Sequence, residues 1–206
     1  MNFISQKIYN LFKSKLFKSG GIYTVASIIE KAIPFLLLPV LTRYLSTEDY
    51  GIVSMFQVLV GFTIPLVGYN GYSAVFRNYY KDNINIAKYI GNALIILLIS
   101  SIILGLGIYF FSDTIAFYSK YPKNWLWLIL LVAVGQFTIN LILVIWQAQE
   151  EAITYGYYKI LLTLLNLGLA VFLIVGIGYG WEGRVIGQMV AVTLFGIGAV
   201  AILWNK

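Results

Sequence analysis

From Ile22 to Trp204 the chain runs through six apolar stretches, near 22–42, 51–74, 88–111, 125–147, 157–178 and 184–204. Each has the roughly 20 residues that a helix needs to cross the hydrocarbon of a bilayer. Within lipid the backbone must satisfy its own hydrogen bonds, and a stretch of this length does so as a helix. The pattern therefore predicts an all-α membrane protein with six transmembrane helices in one bundle. The connections are short and hold most of the charges and turn residues, and no Pro- or Ser-rich linker divides the chain. Residues 21–206 read as a single lobe, preceded by a segment of different character over 1–20.

Composition supports the same class. Hydrophobic residues make up 60% of the chain and charged residues 11%, against about 25% charged in a soluble domain. There is no Cys and no His, which excludes disulfides, thiolate nucleophiles, His-ligated metals and imidazole proton relays. Carboxylates, amines, guanidinium groups, amides and hydroxyls remain. No catalytic group, metal or cofactor is expected. The net charge of +6 does not point to nucleic acid, because the lysines and arginines fall mainly between apolar runs.

In segment 1–20, Lys7, Lys13, Lys15 and Lys18 accompany Ile4, Ile8, Leu11, Phe12 and Leu16 at helical spacing. This predicts a basic amphipathic helix resting on the lipids of an anionic cytoplasmic leaflet. A cleaved signal peptide fits less well, since the next apolar run is too long and no small-residue cleavage site follows. Counting Lys and Arg in alternate connections puts nine on one side (Lys7, Lys13, Lys15, Lys18, Arg77, Lys81, Lys88, Lys159 and Lys206). Four fall on the other: Arg43, Lys120, Lys123 and Arg184. The positive-inside bias then places both termini in the cytoplasm. Trp125, Trp127, Trp181 and Trp204 stand near span ends, where amphipathic rings favour the interface.

Two charges break the pattern. Glu30 and Lys31 lie in the middle of the first apolar run, where a charge costs roughly 2.5–3.5 kcal/mol on insertion scales. Thr24, Ser27, Lys31 and Pro34 share one sector of a helical wheel, and Glu30 is about 100° from Lys31. Lys31 is a candidate anion ligand in a central cavity, and Glu30 a candidate ion-coupling carboxylate. Structural interhelical ion pairs are the plainer alternative. Pro34, Pro39 and Pro65, the last between Gly61 and Gly68, bend their helices and free carbonyls.

Weaker polar signals lie further on. Gln57 sits on one face of the second span with Ser54, Gly61, Gly68 and Tyr72; Gln136, Asn140 and Gln147 form a stripe on the fourth, leading to Glu151. These amides are either packing contacts or the hydrogen-bonding wall of a hydrophilic path, suited to sugar hydroxyls. In the sixth span Gly183, Gly187 and Ala191 repeat at four-residue spacing, with Gly198 near the same face, and read as a packing seam. Glu182 and Arg184 are expected at the outer interface. Arg77, in Arg77-Asn78-Tyr79-Tyr80, is either a diphosphate or headgroup ligand or a positive-inside anchor. Arg43 is a candidate gating or substrate residue at the opposite end of the first helix.

The stretch Leu38-Pro39-Val40-Leu41-Thr42-Arg43-Tyr44-Leu45-Ser46-Thr47-Glu48-Asp49-Tyr50-Gly51 resembles the join between the first two helices of polysaccharide biosynthesis flippases. These form the O-antigen (lipopolysaccharide) translocase branch of the multidrug/oligosaccharidyl-lipid/polysaccharide exporter superfamily. Lys18-Ser19-Gly20-Gly21, Arg77-Asn78-Tyr79-Tyr80 and Trp181-Glu182-Gly183-Arg184 with Gly187 are similar at matching places. The resemblance implies a carrier that moves undecaprenyl-diphosphate-linked oligosaccharide from the inner to the outer leaflet of the bacterial inner membrane by alternating access. It implies a cationic cavity, which Lys31, Arg77 and Arg43 fit, and twelve or more helices in two lobes. The six helices here correspond to the N-terminal lobe, so a second six-helix lobe or a homodimer partner would complete the cavity.

Three other functions compete. An ion-coupled drug exporter of the same superfamily would use Glu30 as its coupling carboxylate. A non-catalytic membrane subunit of a glycan-assembly complex would tolerate a neutral residue at position 31. A polyprenyl-phosphate sugar transferase would want acidic residues clustered at one membrane face, but Glu48-Asp49 and Glu150-Glu151 fall on opposite sides.

Overall fold

A computed structural model of the chain describes residues 15–80 and 85–204; the side chains before Gly20, and those of Glu30, Ile33 and Pro34, lie outside the description. Most of the expected interfacial segment 1–20 therefore lies outside the described residues. The described residues form seven α-helices and no strand: α1 Lys15–Tyr44, α2 Thr47–Leu66, α3 Gly71–Asn78, α4 Ile86–Ser119, α5 Leu126–Ala148, α6 Ala152–Val171 and α7 Trp181–Trp204. Five helical stretches are long and apolar enough to cross a membrane; in α1 the apolar segments Gly20–Ile29 and Phe35–Tyr44 flank the undescribed side chains. The all-α membrane class holds.

Local sequence sets the helix ends. Ser46 caps α2: its Oγ accepts from the Asp49 amide at 3.1 Å while the Asp49 carboxylate accepts from the Ser46 amide at 3.3 Å, a reciprocal capping box. Asn85 caps α4, its side chain accepting from the Lys88 amide at 3.3 Å. Lys120 and Glu150, both with positive φ, end α4 and α5. Phe172–Gly176 widens into a π turn after α6, which gives the carbonyl of Phe172 the amide of Ile177 at 3.2 Å.

The expected second span, 51–74, is not one helix. It stops at Leu66, just past Pro65, and restarts as α3 at Gly71, with Gly68, Tyr69 and Asn70 all at positive φ between them. A proline removes one donor and crowds the preceding turn; here the chain unwinds instead of merely bending. The amide of Gly68 is recovered by Ser100 of α4, whose Oγ accepts at 2.8 Å. A Cβ on Gly68 would overlap the ring of Phe137, so glycine is required there twice over. The third span also differs from expectation: α4 runs to Ser119, well past 111.

α5 is the most enclosed helix, its side chains buried along nearly the whole length. α2, α3, α4 and α7 pack around it, α6 lies against α7, and α1 lies on α6. Small residues let these helices approach. A Cβ on Gly187 would come within 2.9 Å of the Ala170 amide on α6, and one on Gly196 within 3.0 Å of Gly135 on α5. The seam along Gly183, Gly187 and Ala191 is buried as the sequence predicts. Gly198 is not part of it, having open space beside it, because α7 meets α5 through Gly196 at this depth. Thr138 bridges α5 and α7 to the carbonyl of Gly196 at 3.3 Å, and Tyr158 bridges α6 and α7 to that of Phe195 at 2.5 Å.

One end of the bundle gathers the connections 45–46, 120–125 and 177–180. There Tyr121 stacks near Phe56, and Trp181 meets Tyr121 and Trp125, the two tryptophan rings 4.7 Å apart. At the other end Tyr80 donates to the carbonyl of Ala148 at 3.1 Å and Tyr23 meets Tyr155 edge to face.

Candidate functional site

α1 and α2 are neighbours in the chain but scarcely touch: α1 lies on α6, whereas α2 lies on α5 and α7. The buried side of α1 is marked by Ala26, Leu37 and Leu41. Lys31 stands five residues beyond Ala26, about 140° round the helix, and its side chain is exposed. Gln57 is exposed on α2 and donates to Oε1 of Gln188 on α7 at 2.7 Å. By helical rise Gln57 lies about 15 Å from the start of α2 and Gln188 about 10 Å from the start of α7, both within the span. An amide clasp thus ties α2 to α7 at membrane depth.

Gln136 and Asn140 are half-buried on α5, where Gln136 donates to Oδ1 of Asn140 at 3.1 Å. Arg43 is exposed in the last turn of α1 and Arg77 is exposed in the last turn of α3. Lys31, Arg43 and Arg77 stand at different depths, so they form no single cationic cluster. The side chain of Glu30 lies outside the described residues.

Among the described residues the most buried cation is one that the sequence reading set in a connection. Arg184, expected at the outer interface, is 7% exposed inside the bundle. Its Nη1 donates to Oδ1 of Asn166 on α6 at 2.7 Å, and the one ion pair among the described residues is elsewhere, between Lys123 and Asp113 at 2.5 Å. Removing Arg184 from the connections leaves three cations on that side against nine, so the positive-inside count still favours the same orientation. Gln188 follows Arg184 by one helical turn, on the same face. That spacing was the available signal: two long polar side chains at i and i+4 beside a glycine seam. The carboxylates of Asp49 and Glu182 both come within 3.6 Å of a Cβ position on Gly180, so two anions stand near each other where α2 and α7 begin.

The opposite side of α7 is apolar. A groove of about 770 Å³ runs between α4, α5 and α7, with Trp127, Leu131, Ile197 and Trp204 among its lining. Ile197 follows Gln188 by nine residues, half a revolution away. One helix thus presents a polar face toward α2 and α6 and a lipid-like face behind.

Long apolar helices carrying a polar seam at membrane depth define a multi-pass membrane protein. A family profile described as polysaccharide biosynthesis protein matches residues 16–206, and the chain belongs to that family. It is 30% identical over 183 residues to protein 1 of the Lsg locus of Haemophilus influenzae, covering 87% of this chain and 42% of that protein. An uncharacterised membrane protein of the same organism is 29% identical over 165 residues, covering 77% of this chain and 37% of its own length. The chain therefore spans about two-fifths of the length of these relatives. No solved structure matches it.

Proposed function

We propose that the chain forms one lobe of a carrier that moves undecaprenyl-diphosphate-linked oligosaccharide from the inner to the outer leaflet by alternating access. The carrier serves surface polysaccharide synthesis in the bacterial cytoplasmic membrane. One observation carries this reading: α1 and α2 diverge onto different supports, and the faces they leave uncovered bear Lys31 and Gln57 at membrane depth. A diphosphate cannot enter hydrocarbon without groups that replace its hydration. Lys31 supplies a cation for it within the span, and Arg43 and Arg77 supply cations toward the two ends. Gln57, Gln136 and Asn140 offer amides to sugar hydroxyls, and Glu30 is assigned to ion coupling. Both termini face the cytoplasm, and the aromatic end faces outward. A second lobe, or a second copy of this chain, provides the facing wall.

The test compares Lys31→Ala with Lys31→Arg for restoration of surface glycan in cells lacking the wild-type protein, at equal expression. The arginine form is expected to retain most export and the alanine form to lose most of it. Full export by Lys31→Ala would remove Lys31 from the pathway and favour a scaffolding subunit.

A further inference from the structure

The chemistry of Arg184 is incomplete as it stands. A guanidinium stays charged in proteins and offers five N–H donors, yet among the described residues Arg184 has one neutral acceptor, Asn166 Oδ1 at 2.7 Å. It is 7% exposed, and no carboxylate of the described residues lies within 4.0 Å. A charge in that position normally pairs with an opposite charge or marks an ion or substrate path. Neighbouring polar groups continue the surface: Gln188, one turn along α7, is held by Gln57 at 2.7 Å. Arg184 lies about 5 Å from the start of α7 and Lys31 about 20 Å from the end of α1, measured from the same end of the bundle. The two cations therefore sit at separate depths.

We infer that Arg184, oriented by Asn166, is a binding residue for a phosphate or diphosphate oxyanion, a second station nearer the aromatic end than Lys31. The inference rests on the carrier reading and deepens it by naming a site. The guanidinium fork matches two phosphate oxygens at once, which a lysine cannot do. Asn166 fixes the direction of the fork without neutralising it, so the charge is kept for a ligand. A purely structural tie between α6 and α7 would gain from a carboxylate at position 166.

That contrast supplies the test. The full chain, in lipid nanodiscs, is titrated with undecaprenyl diphosphate, with neutral undecaprenol and with inorganic pyrophosphate. Arg184→Gln is expected to weaken undecaprenyl diphosphate binding by about tenfold or more and to leave undecaprenol unchanged, with Arg184→Lys in between. Asn166→Asp keeps the interhelical tie, and stable folding can be checked by thermal unfolding. It is expected to lose diphosphate affinity as well, since its carboxylate occupies the fork. Pyrophosphate that binds as tightly as the lipid, and is lost with it, supports the site with free phosphate as ligand; pyrophosphate that binds more weakly supports a lipid headgroup. Wild-type affinity in both Arg184→Gln and Asn166→Asp overturns the inference. Should Lys31→Gln abolish binding while those two variants retain it, the carrier reading stands and this site falls. Should the wild-type chain bind none of the probes, this site falls, and the carrier reading is judged by the export test of Lys31→Ala.

Discussion

Tyr121 carries a hydroxyl that is closed off from solvent and has no hydrogen-bond partner among the described residues. Leaving such a group unpaired costs about 1–3 kcal/mol, so Tyr121→Phe should be neutral or stabilising by up to about 1 kcal/mol near pH 7. Burial also pushes the Tyr121 hydroxyl well above its ordinary value of 10.0. The unfolded chain ionises this tyrosine as pH rises past 10, whereas the folded chain keeps it neutral. Its contribution to stability is therefore whole below pH 10 and falls as pH rises above that value. Thermal unfolding in detergent should show a shallower alkaline decline for Tyr121→Phe than for the wild type; identical declines would place the alkaline loss elsewhere. Residue-scale reading from sequence was weakest where a side chain could reach either way. Arg184 and Glu182 both begin α7, but residues two apart on a helix point about 200° apart, and only the arginine's side faces Asn166, eighteen residues back in the chain. Lys31 was singled out because a charge in the middle of an apolar run has few tolerable surroundings; its side chain is exposed on α1.

At the scale of elements, the break between α2 and α3 depends on groups far apart in sequence. Pro65 and Gly68 signalled a bend, but the unwound turn is held by Ser100 of α4 and closed over by Phe137 of α5. Neither partner could be assigned from a single helix pattern, so the span was read as continuous from 51 to 74. The far end of α4 was missed for a different reason. Hydropathy falls at Ser112 and Asp113, yet the helix continues to Ser119, with Asp113 paired to Lys123 at 2.5 Å. An exposed pair of this kind adds only about 0–1 kcal/mol; Ile115, partly buried against the core, also anchors this end of the helix. The break itself makes a clear prediction. Gly68→Ala adds a methyl at positive φ and forces it against the Phe137 ring, which should destabilise the fold by about 2–4 kcal/mol. Unfolding in micelles of rising SDS fraction measures this. Phe137→Leu in the same chain should relieve the steric part and leave the backbone strain, so the two changes should couple rather than add. Simple additivity would mean that the ring does not enclose Gly68.

For the whole molecule, the hydropathy pattern was enough to predict an all-helical membrane fold, but not which helices would stand apart. Adjacent helices joined by a short connection usually pack together, but α1 and α2 share only the small cluster of Leu37, Leu41, Leu45 and Val53 near their connection. The reason is that α1 lies along α6, and the close approach of Ala170 and Gly187 holds α6 on α7. On the polar side, among the described residues, the Gln57–Gln188 clasp is the bond between helices made by two amides. Such a bond contributes on average only about 0.6 kcal/mol within a membrane, little enough to break and re-form in the transport cycle we propose. With the unwound turn at Gly68–Asn70 below it, α2 has both a releasable contact and a place to pivot. If alternating access works this way, fixing the clasp should stop export. These 206 residues hold no cysteine, so Gln57→Cys with Gln188→Cys introduces the only two thiols within them, and a short bis-thiosulfonate reagent can join them. Surface glycan export should fall after treatment of the double variant, recover on reduction, and stay unchanged in either single variant under the same reagent. Undiminished export by the joined protein would mean that α2 and α7 move as one body, and that opening occurs instead on the side of α1.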